Sequence, residues 1–239
     1  MAGIVAQHLG IMHLDSGAIY RALGLFAHES GINLSRVGMG ETRVALIRAA
    51  LKDPLLTDVN QRGKLNEDLS NALDELKEVK HTIESEVLQI MPQFHVDFVP
   101  PSRDEIGAKQ RVYLNNRDVT DAIRTRDVDN FASFVASLGR VREELVPVQK
   151  SFVKDTGCVT EGRDTGTSIF GQVEDPNTVL VHLYLEADIK ERAQRRFVQK
   201  NDREPTIEEL ERTMFELERR DERDMSREAS PLRRPDDAI

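Results

Sequence analysis

Apolar residues recur every three or four positions over much of the chain and alternate with polar ones over a few short stretches, a pattern of many helices and short strands. Val5 and Leu9, closed by Gly10, read as the end of a helix. The apolar run Ile11 to Leu14 meets Asp15-Ser16-Gly17 and gives way to helical spacing at Ile19, Leu23 and Phe26 that stops near Gly31: strand, turn, helix. A second helix is expected from Glu41 to Lys52, with Val44, Ile47 and Leu51 on one face. From Lys64 to Met91 the series Leu65, Leu69, Ala72, Leu76, Val79, Ile83, Val87 and Ile90 marks a long amphipathic helix. It lacks complementary charges flanking the stripe, so packing on its own domain is favoured over a coiled coil.

Phe94, Val96 and Phe98 alternate with polar residues as far as Pro100-Pro101. A second alternating run, Arg111 to Leu114, turns at Asn115-Asn116 into Arg117 to Thr120, which together predict a small antiparallel sheet. Helices are expected at about 127 to 138 and 140 to 155, then a strand from Cys158 to Thr160 running into Glu161-Gly162-Arg163-Asp164. Val179 to Leu185 has the continuous apolar character of a strand buried in a parallel sheet, and helices follow at about 188 to 200 and 206 to 227. Strands alternating with helices at both ends imply an α/β core made of 1–40 and 126–239, with 41–125 as an inserted α+β domain.

Composition excludes several classes. At 239 residues, 39% hydrophobic and 31% charged, the chain can bury one ordinary core. No stretch approaches the roughly 18 apolar residues of a membrane span, and no signal peptide is evident at the start, which makes cytoplasm the default expectation. The single cysteine, Cys158, rules out an internal disulfide framework, and the six histidines are scattered, only His8 and His13 lying within five residues of each other, so no metal site is expected. A net charge of -9 argues against binding to nucleic acid polymers or anionic membranes. Arginines nevertheless crowd the last third, in ERAQRR at 191 to 196 and RRDERDMSR at 219 to 227. These runs are either a cationic pocket within an acidic protein or solvated helix faces laced with i,i+4 pairs.

Two polar clusters, Asp15-Ser16-Gly17 and Gly162-Arg163-Asp164, stand where apolar strands end, and parallel α/β sheets bind ligands beyond the carboxyl ends of their strands. Arg21, one turn into the helix after Ser16, could donate two parallel hydrogen bonds to a phosphate in the same pocket. An ordinary helix cap followed by a surface arginine fits the spacing equally well.

The same segments carry a resemblance. LDSGAIYRAL at 14 to 23 is similar to the substrate-binding segment of bacterial-type cytidylate kinases. LNNRDVTDAIRT at 114 to 125 resembles that family's LNGxDVTxxIRT, and ASFVASLGRVREEL at 132 to 145 its ASxVAxxxxVRxxL. EGRDTGT at 161 to 167 looks like its DGRDxGT, and ERRDERDMSREASPL at 218 to 232 like its ERDxRDxxRxxxPL. Five motifs in order cover most of the chain, whereas the stretch around 55 to 92 matches nothing in the family and looks like an insertion.

The resemblance implies a P-loop nucleoside-monophosphate-kinase fold: a parallel sheet flanked by helices, a nucleotide-binding insert at 41–125 and a lid at about 188–205. It implies transfer of a phosphoryl group from ATP, with Mg²⁺, to CMP or dCMP by a monomer. Ser16, Arg21 and Arg163 would hold the nucleotide and its phosphate, while Ser133, Arg142, Asp164 and Arg227 would face the cytosine. Arg220 and Asp224 would lie near the ribose and the transferred group, and with Arg163 form the catalytic set. Arg192, Arg195 and Arg196 would be the lid arginines that meet ATP. Converging arginines suit the chemistry, because phosphoryl transfer is catalysed mainly by positioning and charge neutralisation. A buried acceptor such as Asp164 would favour the cytosine amino group over the uracil oxygen.

The pattern also departs from the family. The only Gly-Lys pair, Gly63-Lys64, is followed by Leu65 and has no glycine five residues before it, so no GxxxxGK(S/T) phosphate loop is present. Met1 aligns just past the end of the family's phosphate loop and Ile239 with the first residue of its final strand. The first and last strands of the family fold are therefore expected to be missing, leaving apolar faces uncovered and the chain poorly soluble or partly folded. Thr165 and Phe170-Gly171 replace an apolar residue and Phe-Pro. Two other readings stay open: a catalytically inactive CMP-binding or interaction module, and a kinase for UMP or AMP.

Overall fold

A computed structural model describes residues 1–102, 105, 108, 110–153, 157–171, 177–226 and 230–239. Helix α1 (Ala2–Leu9) ends at Gly10 in the left-handed conformation, as the sequence anticipates. Strand β1 (Met12–Asp15) leads directly into α2 (Ser16–Glu29). Asp15 rather than Ser16 caps that helix, its carboxylate accepting from the Ala18 amide at 2.9 Å, and Ala18, Ile19, Ala22 and Leu23 are buried beneath it.

Helix α3 (Ser35–Leu51) starts six residues before the expected Glu41. Gly38 and Gly40 in its first turns weaken the local helical signal. The same Gly40 lets α3 lie close to α4 (Val59–Ile90), because a Cβ there would meet Leu76 Cδ1 at 2.9 Å. α4 starts five residues before the expected Lys64, at an Asp58 cap whose carboxylate accepts from the Asn60 and Gln61 amides. Its first turns face solvent, so the apolar stripe that guided the expectation begins later than the helix does.

Strands β2 (Val96–Val99), β3 (Arg111–Leu114) and β4 (Arg117–Asp118) form the expected antiparallel sheet in the order β2-β3-β4. Asn115 and Asn116, with φ of 48° and 65°, make the two-residue turn between β3 and β4. Val96, Phe98, Val112 and Leu114 belong to the same hydrophobic cluster as Leu14, Ile19 and Leu23 and as Ile83 and Val87 of α4. The segment 41–125 and the β1–α2 unit thus share one core.

Helices α5 (Arg126–Val135) and α6 (Gly139–Ser151) precede β5 (Cys158–Glu161), which pairs in parallel with β1 from Met12↔Cys158 to Asp15↔Glu161. A parallel pair flanked by helices is the α/β arrangement expected. α7 (Ile189–Asn201) and α8 (Ile207–Ser226) form a helical hairpin. Among the described residues no helix is long and apolar enough to cross a membrane.

The expectation of a buried strand at Val179–Leu185 is corrected. That segment belongs to neither sheet, and Val179, Val181, Leu183 and Leu185 are exposed. Neither free edge of the β1–β5 pair takes it as a neighbour, so no ladder covers it. Its backbone hydrogen-bonds to the chain end, where the Ile239 amide donates to the His182 carbonyl at 3.0 Å and the Tyr184 amide donates to the Ile239 carbonyl at 3.1 Å.

The entry to α8 is a reciprocal cap: Thr206 Oγ1 accepts from the Glu209 amide, and a Glu209 carboxylate oxygen accepts from the Thr206 amide at 2.9 Å. Hydrogen bonds from Arg203 and then Thr206 pull the Glu209 pKa down to about 2. The unfolded value is about 4.3. The stabilisation is therefore fully present above the unfolded value and lost as pH falls through the folded one. A side-chain carbonyl titration by NMR should give Glu209 a midpoint near the depressed value, and Arg203→Met should move it back toward the ordinary range. An ordinary midpoint in the unmodified protein would show that the cap does not form.

Candidate active site

The β1–β5 register sets Asp15 opposite Glu161, so the turns that follow the two strands lie side by side. A Cβ on Gly162 would sit only 3.1 Å from the Ser16 Cβ, which fixes how closely they approach. The Ser16 hydroxyl donates to Gln149 Oε1 of α6 at 2.7 Å. Gln149 is wholly buried and its Nε2 donates to the Leu145 carbonyl at 3.3 Å. Arg21 is held toward the same turn by Asp15, Nη2 to Oδ2 at 3.1 Å, and its buried Nε has no hydrogen-bond partner.

Next to this pair lies a buried ion pair between Arg142 Nη2 and Asp164 Oδ2, with both side chains about 5% exposed. Arg142 also donates through Nη1 to the Ala136 carbonyl at 2.9 Å and lies over the Tyr20 ring, 5.2 Å from its centroid. Tyr20 is one turn after Ser16 on α2, and Arg142 and Gln149 are two turns apart on α6. Two facing helices and the β5 turn therefore build one polar, water-poor corner.

A more open cluster continues from it. Arg163 Nη1 donates to Asp221 Oδ1 at 2.5 Å, and Arg192 Nη1 donates to the other oxygen of the same carboxylate at 2.6 Å. Arg163 Nε is 3.5 Å and Arg220 Nε 3.8 Å from Asp224 Oδ2. Burial would raise the Asp221 pKa, but the hydrogen bonds from Arg192 and Arg163 outweigh it and hold the carboxyl below its usual value. Arg220 is pushed below the usual guanidinium value, first by burial and then by repulsion from Arg163, with Asp224 opposing and Arg196 adding to the repulsion. Crowded cations of this kind are stabilised by an arriving anion.

The candidates do not all converge. Arg196 reaches Asp129 of α5 at 3.4 Å, sharing it with Lys200, and thus ties α7 to the wall of the site. Arg195 is exposed and, among the described residues, pairs with Glu191 alone, one turn before it, at 3.0 Å. Ser133 on α5 is half-buried, and Arg227 lies outside the described residues. Gln149, Asp221 and Asp129 went unrecognised in the sequence. A signal existed for Gln149, which with Arg142 and Leu145 follows the i, i+3, i+7 spacing of one helix face. Among the described residues no three His, Cys, Asp or Glu side chains cluster as a metal site.

Arginines gather around carboxylates beyond the carboxyl ends of two parallel strands, the place where α/β sheets bind ligands. The cytidylate kinase family model matches residues 1–239. The curated cytidylate kinase of Shewanella denitrificans is 32% identical over 236 residues, covering 99% of this chain and 79% of the relative. Those of Streptococcus suis and Pseudomonas fluorescens are 33% and 32% identical, covering the whole of this chain and 80% of each relative. The chain belongs to the cytidylate kinase family, and by that membership it is a nucleoside-monophosphate kinase.

Removing one member of a buried ion pair strands the other charge, at a cost of about 3–5 kcal/mol, while replacing both with apolar groups is close to neutral. Arg142→Met should therefore destabilise the protein strongly in urea denaturation, and adding Asp164→Leu should recover most of the loss. Equal destabilisation by the single and double variants would show that the pair is not coupled.

Proposed function

We propose that the protein transfers the γ-phosphoryl group of ATP to CMP or dCMP, giving CDP or dCDP, at the corner between the ends of β1 and β5. The observation that carries this reading is the meeting of Arg163, Arg192 and Arg220 on Asp221 and Asp224. It gathers, from three elements, the charge that a transferred phosphoryl group needs. Arg21 and Arg163 take the acceptor phosphate, Arg220 and Asp224 the ribose and transferred group, and Arg142 and Asp164 the cytosine. Ser133 and Arg227 complete the base end on the strength of the motif resemblance.

The motif resemblance gives the ATP phosphates to Arg192 and Arg196 of α7, with Arg195 on the outer face. Mg²⁺ adds charge neutralisation when it arrives with ATP and is held largely by phosphate and water. The nearest carboxylates, Asp221 and Asp224, are engaged by arginines, and no residue is assigned to the metal. Residues 41–125 act as the acceptor-nucleotide domain and 188–205 as a lid whose α7 tether, Arg192 to Asp221, is released to the nucleotide. A monomer is taken as the working unit of this reading.

Product formation and CMP binding should be measured separately on the full chain, since calorimetry reports the acceptor half without turnover. Arg163→Ala should lower kcat for CDP formation by about 10²–10³-fold, the range for losing one donor aimed at developing charge, and should weaken CMP binding. Wild-type turnover in that variant, or preference for UMP or AMP over CMP in the unmodified chain, would overturn the reading.

A further inference from the structure

The Ser16–Gln149 hydrogen bond has a fixed polarity. The Leu145 carbonyl can only accept, so the Gln149 amide must point its nitrogen there and its oxygen at Ser16. The single hydroxyl hydrogen of Ser16 is committed to that oxygen, and the hydroxyl presents lone pairs alone to whatever enters the corner. Ser16 is 2% and Gln149 0% exposed, so water cannot readily replace either partner.

A phosphate oxygen also only accepts, which turns Ser16 away from the phosphate and toward a ligand N–H or O–H. The corner shared by Ser16, Tyr20, Arg142 and Asp164 holds the Arg142 guanidinium, engaged through Nη2 by Asp164 and through Nη1 by Ala136, and the Tyr20 hydroxyl, beside Ser16 and Asp164 as acceptors. We propose that Gln149 is a specificity-determining positioning residue, which holds the Ser16 hydroxyl as an obligate acceptor and so favours an amino-bearing pyrimidine over a 4-oxo pyrimidine. This rests on the acceptor-nucleotide reading above. A uracil oxygen facing Ser16 would demand that the hydroxyl turn round, abandoning the Gln149 oxygen in a buried site. A cytosine amino group requires no such change.

The test is calorimetric binding of CMP and of UMP to the full chain, without ATP, alongside thermal melts. Gln149→Met keeps the length of the side chain but removes the acceptor, and the CMP:UMP affinity ratio should fall about tenfold, the scale of one buried acceptor left unpaired. Gln149→Glu should keep the ratio: burial favours the protonated acid, which donates to Leu145 and accepts from Ser16 as the amide does. Ser16→Ala should lower the ratio to a similar extent and make Gln149→Met without further effect on it. It also carries the test should Gln149→Met not fold. Wild-type protein that binds neither nucleotide would overturn the proposed function and this inference together. Wild-type preference for CMP with a ratio unmoved by Gln149→Met or by Ser16→Ala would overturn this inference alone, leaving the hydrogen bond a tie between α2 and α6.

Discussion

The parallel pairing of β1 with β5 is the constraint on which the site depends. Asp15↔Glu161 is the last aligned pair, and both strands break into polar turns at that level. Every further feature follows from the register. α2 leaves β1 with Ser16 and Tyr20 facing the corner, the β5 turn presents Arg163 and Asp164 beside them, and α6 crosses behind with Arg142 and Gln149. A one-residue slip would send Leu14, fully buried, to the opposite face along with the turn residues. The apolar demand of the core therefore fixes the placement of the polar groups.

The cationic cluster depends on carboxylates as much as on arginines. Arg163 and Arg192 share Asp221, while Arg163 and Arg220 flank Asp224, so each acid draws together guanidinium groups that would otherwise repel. Arg163 is common to both acids and stands at the strand end, which makes it the hinge between the acceptor corner and the α7–α8 hairpin. Without a bound anion the carboxylates supply the balancing charge, and a phosphoryl group can take over that role without rebuilding the site.

Much of this was legible in the sequence because periodicity and turn chemistry are local. The helix ending at Gly10, the Asn115-Asn116 turn and the short alternating strands needed no knowledge of their neighbours. Helix starts were misjudged where they are exposed, as at Asp58, because an apolar stripe reports burial and not the helix itself. Val179–Leu185 failed for the opposite reason. Its apolar run is strand-like, but a strand is defined by a partner, and neither free edge of the β1–β5 pair takes this segment as a third strand. In the site, motif resemblance pointed to the arginines and to Asp164 and Asp224, but not to every group that orients them. Gln149 and Asp221 act through contacts between distant elements, and a buried glutamine on a helix face reads from sequence as an ordinary surface residue.

The site thus divides into two halves of different stiffness. Ser16, Gln149, Arg142 and Asp164 are all buried, and an exchange of partners among them would leave a polar group unsatisfied in a dry environment. Arg163, Arg192 and Arg220 are each about a third exposed, where ion pairs exchange at little cost. Discrimination between bases that differ in one donor requires the first kind of environment, because only a fixed hydrogen-bond polarity penalises the wrong ring. In the proposed reaction a phosphoryl group moves between two nucleotides, which calls for the second, because on that reading the same arginines let go of Asp221 and Asp224 as the charge arrives. Burial separates the two requirements along a single strand turn, with Asp164 on the stiff side and Arg163 on the compliant one.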